Sequence, residues 1–251
     1  MVEFYNPFLS PFAESQALKV INAGEIPLIQ LNPYKVTERQ IAAGVYDRHL
    51  KRYAQAVRKF GCVIVLSFGH EMNGWWYPWG RPRTSPADFI AAWRHMHDVF
   101  TKQGARNVIW SWDPTHQYRS PVPGKVASPA SEWYPGSNYV DWVGLDGYLN
   151  YDVNGHPQNF SEIFDVQLNI IRHVAPHKLV YLAETAVPAG PAALKQIDNL
   201  FSGLSSYHVA GLIWFDALGR LDQTGKRKDF RLQQRPDDAA RYKQQLSLFL
   251  R

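Results

Sequence analysis

The sequence predicts an α/β fold of the (β/α)8 TIM-type barrel class, and two observations support that prediction. Short apolar runs of strand type alternate with longer segments of helical periodicity along the 251 residues, which is typical of a parallel sheet with crossover helices. Several predicted strands also end in acidic or aromatic residues, and a parallel barrel gathers its functional groups at the carboxyl ends of its strands. Barrels of this length are commonly single domains, so we expect residues 1–251 to form one domain.

Prolines and glycines separate the predicted elements in the first hundred residues. In order, these elements are strand Val2–Tyr5, helix Pro11–Ala23, strand Ile26–Leu31, helix Asp47–Phe60, strand Val63–Phe68 and a helix from Pro86 to Phe100. The helix at 47–60 has the clearest pattern, since Leu50, Tyr53 and Val57 recur at helical spacing with charged residues between them. We expect Ser85 to cap the next helix, with Pro86 at its first position.

The rest of the chain continues the alternation after an irregular segment that prolines and glycines interrupt. The elements expected there are strand Val108–Trp112, a long loop over 113–140, strand Trp142–Asp146, helix Phe160–Ala175, strand Leu179–Ala183, helix Pro191–Leu204, strand Val209–Phe215 and helix Asp237–Leu250. Seven strands result, one fewer than a closed barrel requires. A doubly wound sheet also alternates in this way, but the GxGxxG phosphate loop that often marks it is absent.

The composition disfavours several classes of function. The formal charge of +5 is mild, and the longest basic run, Lys226–Lys228, is interpreted as a solvated loop, so we expect no nucleic-acid partner. No apolar run is long enough to cross a bilayer, and no signal peptide is evident after Met1. Cys62 is the one cysteine; it cannot form an internal disulfide, and we expect a small buried apolar residue.

Four predicted strands end in, or just before, an acidic residue. The segments are His70-Glu71, Trp112-Asp113, Asp146 followed by Tyr148, and Glu184. Any one of these acids could simply cap a helix. Polar groups that converge from several strand ends are typical of a barrel active site, and four such segments together favour that interpretation.

Glu71 and Glu184 form the most informative pair. Two carboxyl groups from different strands can face each other across the anomeric carbon of a sugar, where one protonates the leaving oxygen and the other attacks the carbon. The attack requires the two groups to lie about 5–5.5 Å apart, and the acid must remain protonated near neutral pH.

Aromatic residues cluster near the same strand ends. They are Trp75, Trp76, Tyr77, Trp79, Trp112, Tyr148 and Trp214. Each could belong to the core, but three tryptophans within five residues cannot all easily face it. A flat apolar platform suits the faces of sugar rings, with polar groups around it to hold the hydroxyls.

Metal and serine chemistry are less well supported. His70-Glu71 resembles the start of the zinc motif HExxH, but the second histidine would fall at Gly74. The other histidines lack ligand spacing, and no GxSxG nucleophile motif is present. We therefore expect no metal and no cofactor, and we expect His70 to orient a carboxylate or a sugar hydroxyl.

These residues resemble glycoside hydrolase family 26, a family of β-mannanases and β-glucanases with retaining (β/α)8 barrels. The matching segments are HEMNGWWYPWG at 70–80, WSWDP at 110–114, YPGSNYVDWVGLDGY at 134–148 and AETA at 183–186. The resemblance covers most of the chain from about residue 20 onward. It implies one catalytic domain over 1–251 that hydrolyses β-1,4-mannan or mixed-linkage β-1,3-1,4-glucan, internally and without a cofactor, at a secreted or cell-envelope location.

The resemblance also implies a role for each matching residue. Glu71 would be the acid/base and Glu184 the nucleophile. His70 would assist at the cleavage site, Trp76 would stack under a sugar, and Tyr148 would hydrogen-bond the nucleophile. The other substrate-binding residues that we predict are Asn73, Trp79, Trp112, Asp146 and Trp214.

Two features depart from the family pattern. An arginine that holds a distal mannose often follows the last-strand tryptophan, whereas Phe215 follows Trp214 here, so glucan is as credible a substrate as mannan. The family places its two acids after the fourth and seventh strands, but here they follow the third and sixth. We therefore expect the first barrel strand to be missing, which leaves an open edge that another chain could cover.

Two interpretations from other functional classes stay open. The protein could be a catalytically weak carbohydrate-binding barrel, disabled by the missing strand, although both carboxyl groups are retained. It could also be a metal-dependent hydrolase, which a chelator would inactivate. Polysaccharides or oligosaccharides are the expected binding partners of both a glycanase and a carbohydrate-binding barrel. No membrane partner is expected under any of the three interpretations.

Overall fold

The computed structural model describes residues 1–117, 127–152, 154–221 and 227–251. Within these ranges seven parallel strands form one sheet: β1 (Val2–Pro7), β2 (Pro27–Asn32), β3 (Ile64–Phe68), β4 (Val108–Trp112), β5 (Trp142–Asp146), β6 (Leu179–Thr185) and β7 (Leu212–Trp214). The helices are α1 (Glu14–Asn22), α2 (Glu38–Ala42), α3 (Asp47–Phe60), α4 (Pro86–Lys102), α5 (Phe160–Val174), α6 (Ala193–Ser206) and α7 (Pro236–Phe249). Two 3-10 turns, Ala130–Trp133 and Leu232–Gln234, and an antiparallel hairpin of β8 (Leu218–Leu221) and β9 (Arg227–Asp229) complete the described elements.

The sheet confirms the predicted fold class. Its strands lie in the order β1 to β7, each parallel to its sequence neighbour, and they curl into a half-barrel with helices between them. Among the described strands, β1 pairs with β2 alone and β7 with β6 alone. Over the described residues the architecture is therefore a (β/α)8 barrel that lacks one strand between β7 and β1.

Local sequence explains where the main helices begin and end. Ser85 accepts a hydrogen bond from the Asp88 backbone N–H, and Pro86 follows at the first helical position of α4. Helix α3 ends at Gly61, whose φ of 77° is the left-handed conformation that favours glycine. Helix α5 begins with a capping box between Asn159 and Glu162.

The barrel interior is divided along its axis. Leu28, Val65, Tyr181 and Ala183 form a small apolar cluster that begins near the amino-terminal ends of the strands and reaches the residue before Glu184. Buried polar side chains occupy the carboxyl-terminal half: Gln30, Ser67, Ser111, Asp113, Asp146 and Glu184. The apolar half closes the floor, and the polar half opens toward the strand ends.

Several boundaries and two elements differ from the predictions. Strand β6 continues through Glu184, because its main chain still pairs with β5 at Asp146, and β7 is shorter than expected. Helix α2 and the β8–β9 hairpin were not predicted, because both segments are short and rich in polar residues. Arg227 and Lys228 belong to β9 rather than to a loop, while Lys226 and residues 118–126 of the expected long loop lie outside the described residues.

Cys62 is partly exposed just before β3, so the prediction of a buried residue was wrong. Strand β3 begins only at Ile64, so Cys62 precedes its fully buried residues. Among the described residues, no helix is both long enough and apolar enough to cross a membrane.

Candidate active site

A cavity of about 590 Å³ opens at the carboxyl-terminal ends of the strands. Both predicted catalytic acids line it: Glu71 from the loop after β3, and Glu184 from the end of β6. The other lining residues are Tyr5, Asn32, Tyr34, Trp76, Tyr77, Tyr148, Asn150, Phe215, Gly219 and Phe230. The fold thus brings together two acids separated by more than a hundred residues of chain.

Glu184 is held by two tyrosine hydroxyls. Tyr148 donates a short hydrogen bond to Oε1, and Tyr5 donates to Oε2 at 3.2 Å. Burial and the charge of Glu184 raise the pKa of Tyr148 well above its usual range, and the same causes raise the pKa of Tyr5. Both phenols therefore remain protonated donors at neutral pH, and they stabilise the charged form of the carboxylate.

Glu71 is held in an uncommon backbone conformation. Its φ is +54°, in the left-handed region that residues with a side chain rarely adopt. Its N–H donates to the Asp113 carbonyl at 2.7 Å, and this bond to the end of β4 fixes the turn. Such a conformation costs about 1–3 kcal/mol, and it is typical of functional sites where the surrounding structure enforces it.

The side chain of Glu71 has a specific partner in the aromatic loop, which is residues 69–85 between β3 and α4. Trp76 donates its indole N–H to Glu71 Oε2 at 2.6 Å. Gly74 allows this arrangement, because a Cβ atom at that position would lie 2.5 Å from Cη2 of the Trp76 ring. Trp76 therefore orients the carboxyl group as well as lining the cavity.

Three further acids lie beneath this pair in the barrel interior. Asp146 is completely buried, and neither of its carboxyl oxygens has a hydrogen-bond partner among the described residues. Burial raises its pKa well above the usual range, and the charges of Glu184 and Glu71 raise it further. Burial and the charge of Glu184 act in the same direction on the pKa of Glu3.

Asp113 is bound only to neutral donors among the hydrogen bonds that the structure records. It accepts from Gln30 Nε2 at 2.9 Å and from Ser111 Oγ at 2.5 Å, and burial raises its pKa. Buried acids with raised pKa values are most stable when protonated. The interior therefore favours neutral acids below the two residues that line the cavity.

The structure places His70 behind the cavity wall. Its ring is fully buried, Nδ1 donates to Asn32 Oδ1 at 3.1 Å, and the ring packs edge-on against Tyr77 at 4.8 Å. This position supports Tyr77 and Asn32, which do line the cavity.

Three other predicted residues lie in the core rather than on the cavity wall. Asn73 is fully buried and binds the backbone of Thr115 through both its amide oxygen and its amide nitrogen. Trp79 is 1% exposed and donates to the His70 carbonyl, and Trp112 is buried against Tyr134. Their contact with a substrate stays a prediction; what the structure shows is that they hold the loops around the site.

Trp214 also points away from the cavity. Its indole N–H donates to the Phe230 carbonyl at 2.8 Å, and its ring packs against Tyr242 of α7 at 5.1 Å. The next residue, Phe215, lines the cavity instead. Neighbouring residues face opposite sides of a strand, which explains why Phe215 lines the cavity and Trp214 does not.

The hairpin adds an aromatic wall that the sequence did not predict. Phe230 packs against Tyr148 at 5.1 Å and Phe215 at 5.9 Å. Gly219 makes room for it, because a Cβ atom there would lie 2.9 Å from Phe230 Cε2. A backbone hydrogen bond of 2.8 Å from Ala189 to Asp229 joins the hairpin to the segment after β6.

Sequence reasoning missed several residues of the site. Tyr5 and Asn32 stand at strand ends, so the rule that found Glu71 could have found them. Phe230 and Gly219 belong to an unpredicted hairpin, and no motif marks them. Among the described residues, no group of three or more His, Cys, Asp or Glu is arranged to hold a metal ion.

The fold and the site together define a barrel of the (β/α)8 class with paired carboxyl groups and aromatic rings around one cavity at its carboxyl-terminal rim. A comparison of the sequence with models of known protein families agrees with this class of barrel. The model of glycosyl hydrolase family 26 matches residues 32–204, so the chain belongs to this family.

Curated relatives carry several different names. The chain is 28% identical over 247 residues to Endoglucanase H of Acetivibrio thermocellus, covering 94% of this chain and 25% of that protein. It is 40% identical over 166 residues to mannan endo-1,4-beta-mannosidase A and B of Caldalkalibacillus mannanilyticus, covering 62% of this chain and 28% of that protein. A Vibrio protein named beta-1,3-xylanase is 26% identical over 117 residues, covering 46% of this chain and 23% of the relative. The chain thus spans about a quarter of the length of these three relatives.

Solved structures share the fold. A β-mannanase of family 26 from Bacteroides ovatus superimposes with a TM-score of 0.63 at 19% identity, covering 96% of this chain and 77% of the other. An endo-β-1,4-mannanase from Cellulomonas fimi gives a TM-score of 0.60 at 17% identity, covering 81% of this chain and 51% of the other.

Proposed function

We propose that this chain is a retaining endo-β-glycanase that hydrolyses β-1,4-mannan or mixed-linkage β-1,3-1,4-glucan by double displacement. The observation that carries the proposal is the meeting of Glu71 and Glu184 in one cavity with aromatic walls. Both residues lie in segments that resemble the family motifs, and each is oriented by an aromatic donor.

In the first step Glu184 is the nucleophile. Its ionised carboxylate attacks the anomeric carbon, a C–O bond to Glu184 forms, and the glycosidic C–O bond breaks. Glu71 transfers its proton to the departing oxygen. Tyr5 and Tyr148 keep the nucleophile charged and fixed in orientation before the attack.

In the second step Glu71 reverses its role. The carboxylate left after proton transfer takes a proton from water, the resulting oxygen attacks the anomeric carbon, and the bond to Glu184 breaks. Trp76 donates to this carboxylate, so its hydrogen bond is strongest when Glu71 is charged. Two inversions at one carbon leave the configuration retained.

The cavity walls support a β-linked glycan substrate. Trp76, Tyr77, Phe215 and Phe230 present apolar ring surfaces, while Asn32 and Asn150 supply amide groups. Rings bind the faces of sugars, and the amides bind hydroxyls. Phe215 carries no charge that could hold a distal mannose, so mannan and mixed-linkage glucan are equal candidates. We also propose that residues 1–251 act as one catalytic domain at a secreted or cell-envelope location, where such polymers are found.

Reducing-sugar release tests this proposal. Wild-type protein should release reducing ends from at least one of β-mannan and mixed-linkage glucan, and Glu184→Ala should abolish the release. The exposed edge favours one alternative, because Tyr5 stands on the edge strand β1, which pairs with β2 on one side, and is 46% exposed. If the wild type and Glu184→Ala were equally inert yet both bound polysaccharide, the protein would be a carbohydrate-binding barrel instead.

A further inference from the structure

A second cavity, of about 540 Å³, is lined by the same two loops that border the candidate active site. Tyr34 lines the first cavity and Lys35 the second; Tyr77 lines the first and Pro78 the second. The two cavities are therefore neighbours that share these two loops as a wall.

The floor of this cavity carries an unsatisfied polar group. Glu38 is 3% exposed, and Thr84 donates to its Oε2 at 2.7 Å. The other carboxyl oxygen, Oε1, is buried without a hydrogen-bond partner among the described residues. Leaving a buried acceptor unpaired is costly, so a ligand that supplies an O–H or N–H group at this point would relieve the cost.

The rim of the second cavity is positively charged, in contrast to the acid on its floor. Lys35, Arg39 and Arg83 are exposed around the cavity, and Arg39 is already paired with Asp88 at 3.0 Å. A simple cation would be repelled by this rim, and a simple anion could not supply the donor that Glu38 Oε1 lacks. A sugar ring carries several hydroxyl groups, each both a donor and an acceptor, so it can satisfy the acid below and the cationic donors around it.

We propose that the second cavity binds a sugar unit of the same glycan at a distance from the cleaved bond, with a hydroxyl group donating to Glu38 Oε1. Lys35 and Arg83 donate to other hydroxyl groups of that unit. The inference rests on the proposed function, and it adds a reason for the protein to prefer longer chains.

A structural role for Glu38 is the main alternative. Its bond to Thr84 joins the start of α2 to the end of the aromatic loop, so its loss could disturb Trp76 and Tyr77. Thr84→Val separates the two roles, because it breaks this bond and leaves the Glu38 carboxyl group in place. Under our proposal Thr84→Val lowers thermal stability but keeps the preference for long chains.

Binding measurements test the proposal without relying on turnover. Isothermal titration in a Glu184→Ala background would compare mannohexaose with mannotriose, and a mixed-linkage hexasaccharide with its trisaccharide. We expect Glu38→Gln to weaken the binding of the hexasaccharide about tenfold, the size of effect expected when one hydrogen bond to the ligand is lost. The trisaccharide affinity should stay unchanged. Lys35→Gln, at an exposed position, should give a smaller loss of the same kind.

Glu14→Gln, an exposed change on α1, is the matched control and should alter neither affinity. Equal weakening of long and short sugars by Glu38→Gln would show that Glu38 only supports the loop. Unchanged binding of both would remove the second site altogether. If the wild-type protein hydrolyses no glycan, the proposed function fails, but a hexasaccharide affinity that depends on Glu38 would still support this site.

Discussion

The hydrogen bond from Trp76 to Glu71 leads to a quantitative prediction. Trp76→Phe keeps an aromatic ring beside the cavity and removes the indole N–H that lies 2.6 Å from Glu71 Oε2. A hydrogen bond to a charged group contributes about 1.5–3 kcal/mol. Because the bond stabilises the carboxylate, its loss favours the protonated acid, and 1.36 kcal/mol corresponds to one pH unit.

The assay is the pH dependence of kcat/KM on a soluble oligosaccharide. On the alkaline side, activity falls when the acid/base loses its proton. We therefore expect the alkaline limb of Trp76→Phe to move upward by about one to two pH units. Activity at neutral pH should also fall, because the carboxyl group loses its fixed orientation.

Trp75→Phe is the matched control. Trp75 lies in the same loop and packs edge-on against Trp76 at 4.7 Å, but the recorded hydrogen bond to Glu71 comes from Trp76. The alkaline limb of Trp75→Phe should stay within about 0.3 pH units of the wild type, because this variant keeps the hydrogen bond that Trp76 donates to Glu71. An alkaline limb that stayed in place in Trp76→Phe, or moved equally in both variants, would refute the assigned role of the indole.

Three further predictions follow from the same geometry. Gly74→Ala should lower kcat at least tenfold, because the new Cβ atom would collide with the Trp76 ring. Gly211→Ala is the control and should have little effect, since no atom lies within 4 Å of its new Cβ atom. Steady-state kinetics compares the two variants. Tyr148→Phe should move the acid limb of the pH profile upward, because the nucleophile loses a donor and remains protonated to higher pH; an unmoved acid limb would contradict this contact. Burial raises the pKa of Asp146 in the folded protein above its value in the unfolded chain. The protonated carboxyl group therefore contributes to stability in full below the pKa of the unfolded chain, and this contribution is lost as the pH rises through the pKa of the folded protein. Urea unfolding should therefore show that Asp146→Asn stabilises the protein more at pH 8 than at pH 5, and the reverse order would exclude this linkage.

The barrel and its main strands were predictable because their pattern is local. Runs such as Ile64–Phe68 are apolar except at Ser67, as expected of strands buried on both faces, and Ser85-Pro86 marks the start of α4 by its own chemistry. The hairpin was not predictable in the same way. Arg227–Asp229 is polar and charged, and it becomes a strand only because it pairs with β8 and joins the segment after β6.

In the candidate site, too, some residues were predictable from the sequence and others were not. Strand-end position identified Glu71 and Glu184, since a barrel collects its strand ends at one rim. It could not tell which aromatic rings face the cavity. Trp79 and Trp76 lie three residues apart in one loop, yet Trp79 is buried beside His70 while Trp76 reaches Glu71. Which ring faces the cavity depends on tertiary contacts, such as the space that Gly74 leaves for the Trp76 ring. The spacing of residues along the sequence does not predict such contacts.

The central claim is that Glu184 forms a covalent bond to the sugar. Mass spectrometry of the protein after reaction with an activated 2-deoxy-2-fluoro-glycoside, which slows the second step, would test it directly. We predict one added glycosyl unit, located on the peptide that contains Glu184, and none on the Glu184→Ala variant. Label on another residue, or cleavage with inversion and no covalent adduct, would contradict the account.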